Sequence, residues 1–109
     1  MGFDLSVILE RLGGDREILQ EIAQLFIEDA PDSMAQIRQA IDDRDAGALE
    51  KAAHSLKGSV SNFGVEEAVQ AALQLEMMGR DGNLSDAEAT FSTLKADVDK
   101  LRDALAEVC

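Results

Sequence analysis

The stretch SDAEATFSTLKADVDKLRDALAEV, residues 85–108, decides the fold class. Its apolar residues recur at alternating spacings of four and three, which places them in one stripe along an α-helix. The residues of this stripe are Ala87, Phe91, Leu94, Val98, Leu101, Leu105 and Val108. Ser85-Asp86-Ala87-Glu88 matches a capping box, which predicts that the helix opens there. A stripe of this kind packs against partner helices at a shallow angle, so we expect a helical bundle.

The rest of the chain divides into four further helical segments. Their predicted ranges are 4–12, 15–44, 45–64 and 65 to 79 or 80, with Asp4 and Asp15 as N-caps of the first two. Gly13-Gly14, Gly64 and the turn at 81–83 are expected to end helices, because glycine readily adopts the left-handed conformation found there. The pattern predicts an all-α fold, an antiparallel four-helix bundle with a short extra N-terminal helix packed on it. A length of 109 residues fits a single domain over residues 1–109.

Two apolar stripes in the middle of the chain are predicted to face the core. In the second helix the stripe is Ile18, Ile22, Leu25, Phe26, Ala30, Met34, Ile37 and Ile41. In the third helix it is Leu49, Ala52, Ala53, Leu56, Val60 and Phe63. Pro31 removes one backbone hydrogen bond inside the second helix, so we expect a kink there rather than two separate helices. Ile27 falls off the second stripe and either joins a docking patch or packs under the first helix.

The charge of the chain excludes several classes of partner. Lys and Arg number 10 and Asp and Glu number 22, and the resulting net charge of −12 disfavours nucleic acids and anionic membrane surfaces. No apolar run approaches the roughly 20 residues needed to cross a bilayer. The only cysteine, Cys109, cannot form an internal disulfide, and the N-terminus lacks the basic and apolar segments of a signal peptide. We therefore expect a cytoplasmic monomer without membrane insertion.

The only histidine of the chain, His54, lies in the third helix but off its apolar stripe. On a helical wheel it points about 140° away from Leu49, so it is predicted to face solvent. Lys57, three residues on, can reach whatever is attached to the imidazole. Gly58 costs about 0.5–1 kcal/mol relative to alanine in a helix interior, which suggests that another molecule approaches the backbone there. A reactive nitrogen, an open approach and a nearby cation suit an anionic group such as phosphoryl.

Glu76 is the second unusual residue, because it falls on the inward stripe of the fourth helix with Ala68 and Ala72. An unpaired carboxylate is costly to bury. Glu76 either accepts a hydrogen bond from one imidazole nitrogen of His54, which would fix the tautomer, or lies at the rim of the bundle with its carboxylate in water. Arg80, four residues on, could equally pair with Glu76.

The segment Ala53-His54-Ser55-Leu56-Lys57-Gly58-Ser59, followed by Asn62-Phe63-Gly64, resembles the signature of histidine-containing phosphotransfer (HPt) domains. The family has a helical-bundle fold of similar size, so the resemblance covers essentially the whole chain. It implies that His54 is the phosphoacceptor, that Lys57 stabilises the phosphoryl group and that Gly58 leaves room for the incoming partner. It also matches Glu76 to a position where members often carry Gln or Glu near the histidine. Arg80 corresponds only weakly to a second basic position of the family.

The resemblance implies a phosphocarrier rather than an enzyme. An imidazole has a pKa of about 6.5 and is largely neutral at cytoplasmic pH. It could therefore take the phosphoryl group from an aspartyl phosphate on a response-regulator receiver domain and pass it to another receiver aspartate in a multistep two-component phosphorelay. The Mg²⁺ and most catalytic groups are expected on the receiver, and the chain is expected to hold no cofactor or metal of its own. Gly13-Gly14 lacks the Gly-Lys-Ser/Thr of an ATP-binding loop, so no autokinase activity is expected.

The partner surface is expected around His54. Gly47 and Lys51 share the outward face of the third helix with it and are predicted to contact the receiver. A hybrid sensor kinase is a further candidate partner. If the chain is a domain of such a kinase, the parent protein would be an enzyme.

Three other functions compete with this interpretation. A metal-binding bundle needs several inward Glu-x-x-His units, which a chain with one histidine cannot supply. The dimerisation domain of a sensor kinase usually has Glu-Leu-Arg after its histidine, whereas this chain has Ser55-Leu56-Lys57-Gly58. A plain protein-interaction module is the third. Gly58 distinguishes it, because a scaffold would tolerate Gly58→Ala or gain stability from it.

Overall fold

Aspartate and glycine residues between the apolar segments set the limits of the helices. The computed structural model describes residues 5–108, and this part of the chain forms five α-helices. They are α1 Leu5–Arg11, α2 Arg16–Asp42, α3 Ala46–Ser61, α4 Glu66–Asp81 and α5 Ala87–Ala106. Each of the five predicted segments is confirmed to within a few residues at its ends. The predicted N-cap Asp4 lies outside the described residues.

The helix ends confirm most of the predicted caps. The Asp15 carboxylate accepts hydrogen bonds from the backbone N–H of Glu17 at 3.0 Å and of Ile18 at 3.2 Å. Asp45 accepts one from Ala48 N at 3.1 Å, so α3 also begins at an aspartate cap. Gly64 after α3 has φ of +66° and Gly82 after α4 has φ of +71°, a left-handed conformation that glycine adopts without steric cost.

The predicted capping box at the start of α5 is wrong. Asn83 Oδ1 accepts hydrogen bonds from the backbone N of Ser85 at 3.2 Å and from Ser85 Oγ at 2.9 Å, so the serine is occupied before the helix begins. The N-cap is Asp86, whose side chain makes no capping hydrogen bond. Glu88 does not return to the helix terminus but pairs with Arg38 of α2, with Nη1–Oε2 at 2.9 Å. Hydrogen bonds to Asn83 thus engage Ser85, the serine that a capping box would need at the helix terminus.

The core face of α2 is confirmed at Phe26, Ala30, Ile37 and Ile41, but its first half is turned by about one residue from the predicted position. Ile18 and Leu25, assigned to the core, are exposed, and Ile22 and Met34 are only half-buried. The buried residues of α2 are Leu19, Ala23, Phe26, Ala30, Ile37, Ala40 and Ile41. Small alanines face the interior because they let neighbouring helices approach closely, whereas the sequence pattern favoured the larger side chains. The predicted stripe of α3 is buried throughout, and so is that of α5 from Ala87 to Leu105.

The helix α2 continues through Pro31 as one helix, as expected. Proline has no N–H, so the carbonyl of Ile27 loses its helical donor. Arg102 of α5 donates to that oxygen from Nη2 at 3.4 Å. The Ile27 side chain is half-buried and packs against the core of the bundle.

The four long helices form the predicted antiparallel bundle. Helix α3 packs against α2 and α4, and α5 packs against the same two helices from the other side. Helices α3 and α4 are antiparallel, because Gly79 faces Glu50 whereas Glu76, earlier in α4, faces Lys57, later in α3. The short α1 adds the buried Ile8 to the core, and Leu9 lines a cleft with Leu19 and Val108 at one end of the bundle. The predicted all-α fold class is confirmed.

Candidate functional site

The imidazole of His54 stands on the outer face of α3. The apolar stripe of this helix is turned into the core, and the wheel position of His54 leaves 68% of its side chain exposed. One ring nitrogen, Nδ1, faces the neighbouring helix α4, where Glu76 Oε2 lies 3.1 Å away. The exposed ring therefore has one nitrogen engaged by the protein.

Glu76 is buried and paired rather than lying at the rim. Its side chain is 6% exposed, on the inward face of α4. Lys57 Nζ lies 2.7 Å from Oε1, and the Nδ1 of His54 lies near Oε2. The nearby Lys57 ammonium lowers the pKa of Glu76, against the opposing effect of burial, and the contact with His54 lowers it further.

An ionised Glu76 fixes the tautomer of the neutral imidazole. A carboxylate without a proton can only accept hydrogen bonds, so the Nδ1 of His54 must carry the hydrogen. The lone pair of the neutral ring then lies on Nε2, the nitrogen that does not face Glu76. The contact thus orients the ring and leaves one nitrogen with nucleophilic character.

Arg80 lies at the edge of the same cluster. Its Nη2 is 3.4 Å from Glu76 Oε2, and its Nε is 3.3 Å from Glu50 Oε2. Sequence reasoning identified Arg80 and its possible pairing with Glu76 but missed Glu50. The signal was present, because Glu50 precedes His54 by four residues and such pairs share a helix face.

Gly58 leaves an open surface one turn from His54. A Cβ atom added there would meet nothing within 4 Å, so nothing in the part of the chain that the structure describes requires a glycine. Gly47 and Lys51, the other predicted contacts on this side of α3, are also exposed. The structure therefore places an unobstructed strip of helix backbone next to the imidazole.

A groove between α2 and α3 reaches Ser59, the residue that follows Gly58. It has a volume of about 220 Å³ and an apolar floor that includes Ile22, Phe26, Leu56 and Phe63. Leu25 stands at its edge with 58% of its side chain exposed. Sequence reasoning missed this feature because it assigned Leu25 to the core, and only the rotation of α2 turns the side chain outward.

Comparison with known sequences assigns the chain to a class. A sequence profile of the Hpt domain matches residues 21–104, which is most of the chain. The chain therefore belongs to the Hpt domain family, whose members are histidine phosphotransfer carriers of phosphorelays.

Two individual proteins are similar to it. The phosphorelay intermediate protein rdeA of Dictyostelium discoideum is 21% identical over 105 residues, which cover 96% of this chain but only 41% of that protein. The chain thus spans less than half the length of this relative. The crystal structure of histidine-containing phosphotransfer protein B from Pseudomonas aeruginosa PAO1 superposes with a TM-score of 0.85 at 24% sequence identity. That match covers 95% of this chain and 90% of the other, and it shows that the two folds are the same.

The structure also bears on metal binding and on membrane insertion. Among residues 5–108, no three or more His, Cys, Asp or Glu side chains come together in a way that could hold a metal ion. In the same range no helix combines the length and the apolar character that a membrane span needs.

Proposed function

We propose that His54 is the phosphoacceptor of this carrier and exchanges phosphoryl groups with aspartates of receiver domains. The observation that supports this most strongly is the combination of an exposed imidazole with a buried, ionised Glu76 at its Nδ1. A solvent-facing histidine without a function has no need of a buried carboxylate, which is costly to place in the interior.

The transfer is a displacement at phosphorus. The lone pair of His54 Nε2 forms the N–P bond, and the bond between phosphorus and the receiver's aspartyl oxygen breaks, with its electron pair leaving on that carboxylate. Nδ1 keeps its proton, so the ring becomes cationic as the bond forms. Glu76 stabilises this charge from 3.1 Å away, a contribution that grows toward the transition state. The reverse sequence of steps delivers the phosphoryl group to a receiver aspartate.

Other residues contribute charge and access. Phosphoryl transfer depends mainly on alignment and charge neutralisation, and Lys57, three residues after His54, can reach an attached phosphoryl group. The open surface at Gly58 lets the receiver's acyl phosphate approach the ring. We place the docking surface on the exposed faces of Gly58, Gly47 and Lys51 and the adjoining groove beside Leu25. The Mg²⁺ and the remaining catalytic groups would belong to the receiver.

The test is the intact mass of the protein after incubation with a phosphorylated receiver and Mg²⁺, with His54→Ala in parallel. We expect the mass to rise by one phosphoryl group, in an acid-labile form, and the variant to remain unmodified. Lys95→Gln, which removes an exposed lysine paired with Asp99 on α5, is the matched control and should accept the group normally. No gain with any of a broad panel of receivers would favour a plain interaction module instead.

A second part of the proposal is that the chain acts as a cytoplasmic, monomeric carrier and not as a kinase. Incubation with ATP and Mg²⁺ alone should leave the mass unchanged. A phosphoryl group appearing on His54 under those conditions would contradict this part and leave the assignment of the acceptor intact.

A further inference from the structure

Besides His54, the Glu76 carboxylate has two cationic neighbours, Lys57 and Arg80, which lie at different distances from it. Lys57 Nζ lies 2.7 Å from Oε1, whereas Arg80 Nη2 lies 3.4 Å from Oε2. The Arg80 guanidinium is shared, since its Nε also lies 3.3 Å from Glu50 Oε2. In the unphosphorylated protein Lys57 is therefore the main counter-ion of Glu76, and its ammonium group is already occupied.

Phosphorylation of His54 would alter this distribution of charge. A phosphoryl group adds about 1.5 to 2 negative charges within reach of Lys57, which lies one helical turn away. A lysine ammonium is a compact point charge on a flexible stem, so it is drawn toward the phosphoryl oxygens. Its departure would leave the buried Glu76 facing only the cationic ring, whose charge is offset by the phosphoryl group that it carries. This is unfavourable unless another cation takes the place of the lysine.

We propose that, when His54 is phosphorylated, Arg80 replaces Lys57 as the main counter-ion of Glu76. Lys57 moves to the phosphoryl oxygens, and Arg80 becomes the counter-ion that keeps Glu76 ionised against the Nδ1–H of the ring. Arg80 is then a positioning residue, which affects the phosphoryl group by releasing Lys57 and does not touch it. This inference rests on the proposed function and adds the residue that allows Lys57 to act.

The geometry permits the exchange without repacking the bundle. Arg80 follows Glu76 by four residues on α4, so the two side chains are neighbours on one helix face. The Arg80 side chain is 61% exposed and both of its contacts are long, so it can leave Glu50 and close on Glu76. Glu50 is itself partly exposed, so water can replace Arg80 there.

The experiment uses the pKa of the phosphoryl group as its readout. The full chain is phosphorylated with phosphoramidate, a small donor that needs no receiver, and the phosphoryl group is titrated by ³¹P NMR. A cation on the phosphoryl oxygens lowers that pKa. We compare the wild type with Lys57→Gln, Arg80→Gln and the double variant. Each single substitution should raise the phosphoryl pKa by a similar amount, and the double variant should raise it no further.

Two results would overturn the exchange. Additive shifts in the double variant would mean that Arg80 contacts the phosphoryl group itself, and an unchanged pKa in Arg80→Gln would mean that Lys57 needs no replacement. Arg80→Lys keeps the cation and should retain the wild-type pKa, while Lys95→Gln controls for the loss of a distant charge. Failure of the proposed function would appear separately, as no transfer from any receiver to a protein that phosphoramidate still loads.

Discussion

Two glycines in helix interiors face opposite surroundings. At Gly79 of α4, an added Cβ would lie 2.5 Å from Glu50 N and 2.6 Å from Ala46 O, inside the backbone of α3. At Gly58 of α3 the same atom would meet nothing within 4 Å. Both glycines carry the same local cost, about 0.5–1 kcal/mol relative to alanine. The packing of the chain explains the first, whereas only another molecule explains the second.

Gly79→Ala should have the larger effect on stability. The new methyl group cannot avoid the backbone of α3, so we expect the free energy of unfolding to fall by about 2–3 kcal/mol despite the better helix propensity of alanine. Urea denaturation followed by circular dichroism measures this. An unchanged midpoint would mean that α3 and α4 can move apart without cost and that the glycine is not a packing requirement.

Gly58→Ala should separate stability from function. The variant is expected to gain about 0.5–1 kcal/mol of stability, because alanine is the better helix former and the site is open. Its rate of phosphoryl transfer from a receiver should nonetheless fall by at least about tenfold, since a small misplacement of the reacting groups is costly. Stopped reactions analysed by intact mass give the rate. Transfer at the wild-type rate would remove the argument that a partner approaches at Gly58.

Arg102, like Gly79, is explained by contacts within the protein. Its hydrogen bond to the Ile27 carbonyl replaces the donor that Pro31 lacks, so Arg102→Leu should destabilise the protein by about 1 kcal/mol. The loss should shrink in the Pro31→Ala background, where the helix recovers its own N–H donor. Denaturation of the four proteins of this cycle measures the coupling, and equal losses in both backgrounds would refute it. The rate of phosphoryl transfer should not change in these variants, because the hydrogen bond lies within the bundle and is not part of the proposed docking surface.

Asp97 and Glu76, the carboxylates buried within the part of the chain that the structure describes, should respond to pH with opposite signs. Burial raises the pKa of Asp97 on α5, with a further increase from Glu67, so its charge is a cost that is present at neutral pH and disappears as pH falls below its ordinary value of 3.8. Asp97→Asn should therefore stabilise the protein modestly at pH 7, and the gain should vanish on acidification. Glu76 has a lowered pKa, so its stabilising contribution is present above its ordinary value of 4.5 and is lost as pH falls.

The measurement is the free energy of unfolding of the wild type, Asp97→Asn and Glu76→Gln between neutral and acidic pH. The difference between wild type and Glu76→Gln should shrink as pH falls below 4.5, since the unfolded chain takes up a proton at Glu76 there while the folded protein, with its lowered pKa, does so only at lower pH. A gain from Asp97→Asn that grows on acidification would contradict the assigned sign.

The sequence predicted those features that depend on local periodicity and local hydrogen bonding. The α3 stripe, the Asp15 cap, the start of α3 near Asp45 and the outward position of His54 follow from spacing and side-chain chemistry alone. The first half of the α2 face did not, because Ile18-Ile22-Leu25 and Leu19-Ala23-Phe26 both satisfy helical spacing. The choice between them depends on how closely the neighbouring helices pack. That choice determines whether Leu25 belongs to the core or to the surface.

The site was predicted as a set of residues, with the contact between His54 and Glu76 left as one of two alternatives. Glu76 could be identified as unusual because a carboxylate fell on an inward stripe, yet its contact with His54 depends on the register between α3 and α4. Glu50 was missed although it shares a helix face with His54, because its contact in the cluster is with Arg80 on a different helix. The capping box failed for a similar reason, since the competing hydrogen bonds from Asn83 are not part of the motif.

The close approach of α3 and α4 at Gly79 also affects the geometry of the site. Gly79 lies three residues beyond Glu76 on α4, and the Glu50 backbone it contacts lies four residues before His54 on α3. The spacing between the helices at this crossing therefore decides how far the carboxylate stands from the ring one turn away. With a larger residue at the crossing the axes would separate, and the 3.1 Å contact between Glu76 and His54 would open. The absence of a side chain at Gly79 thus helps to set the distance between Glu76 and His54.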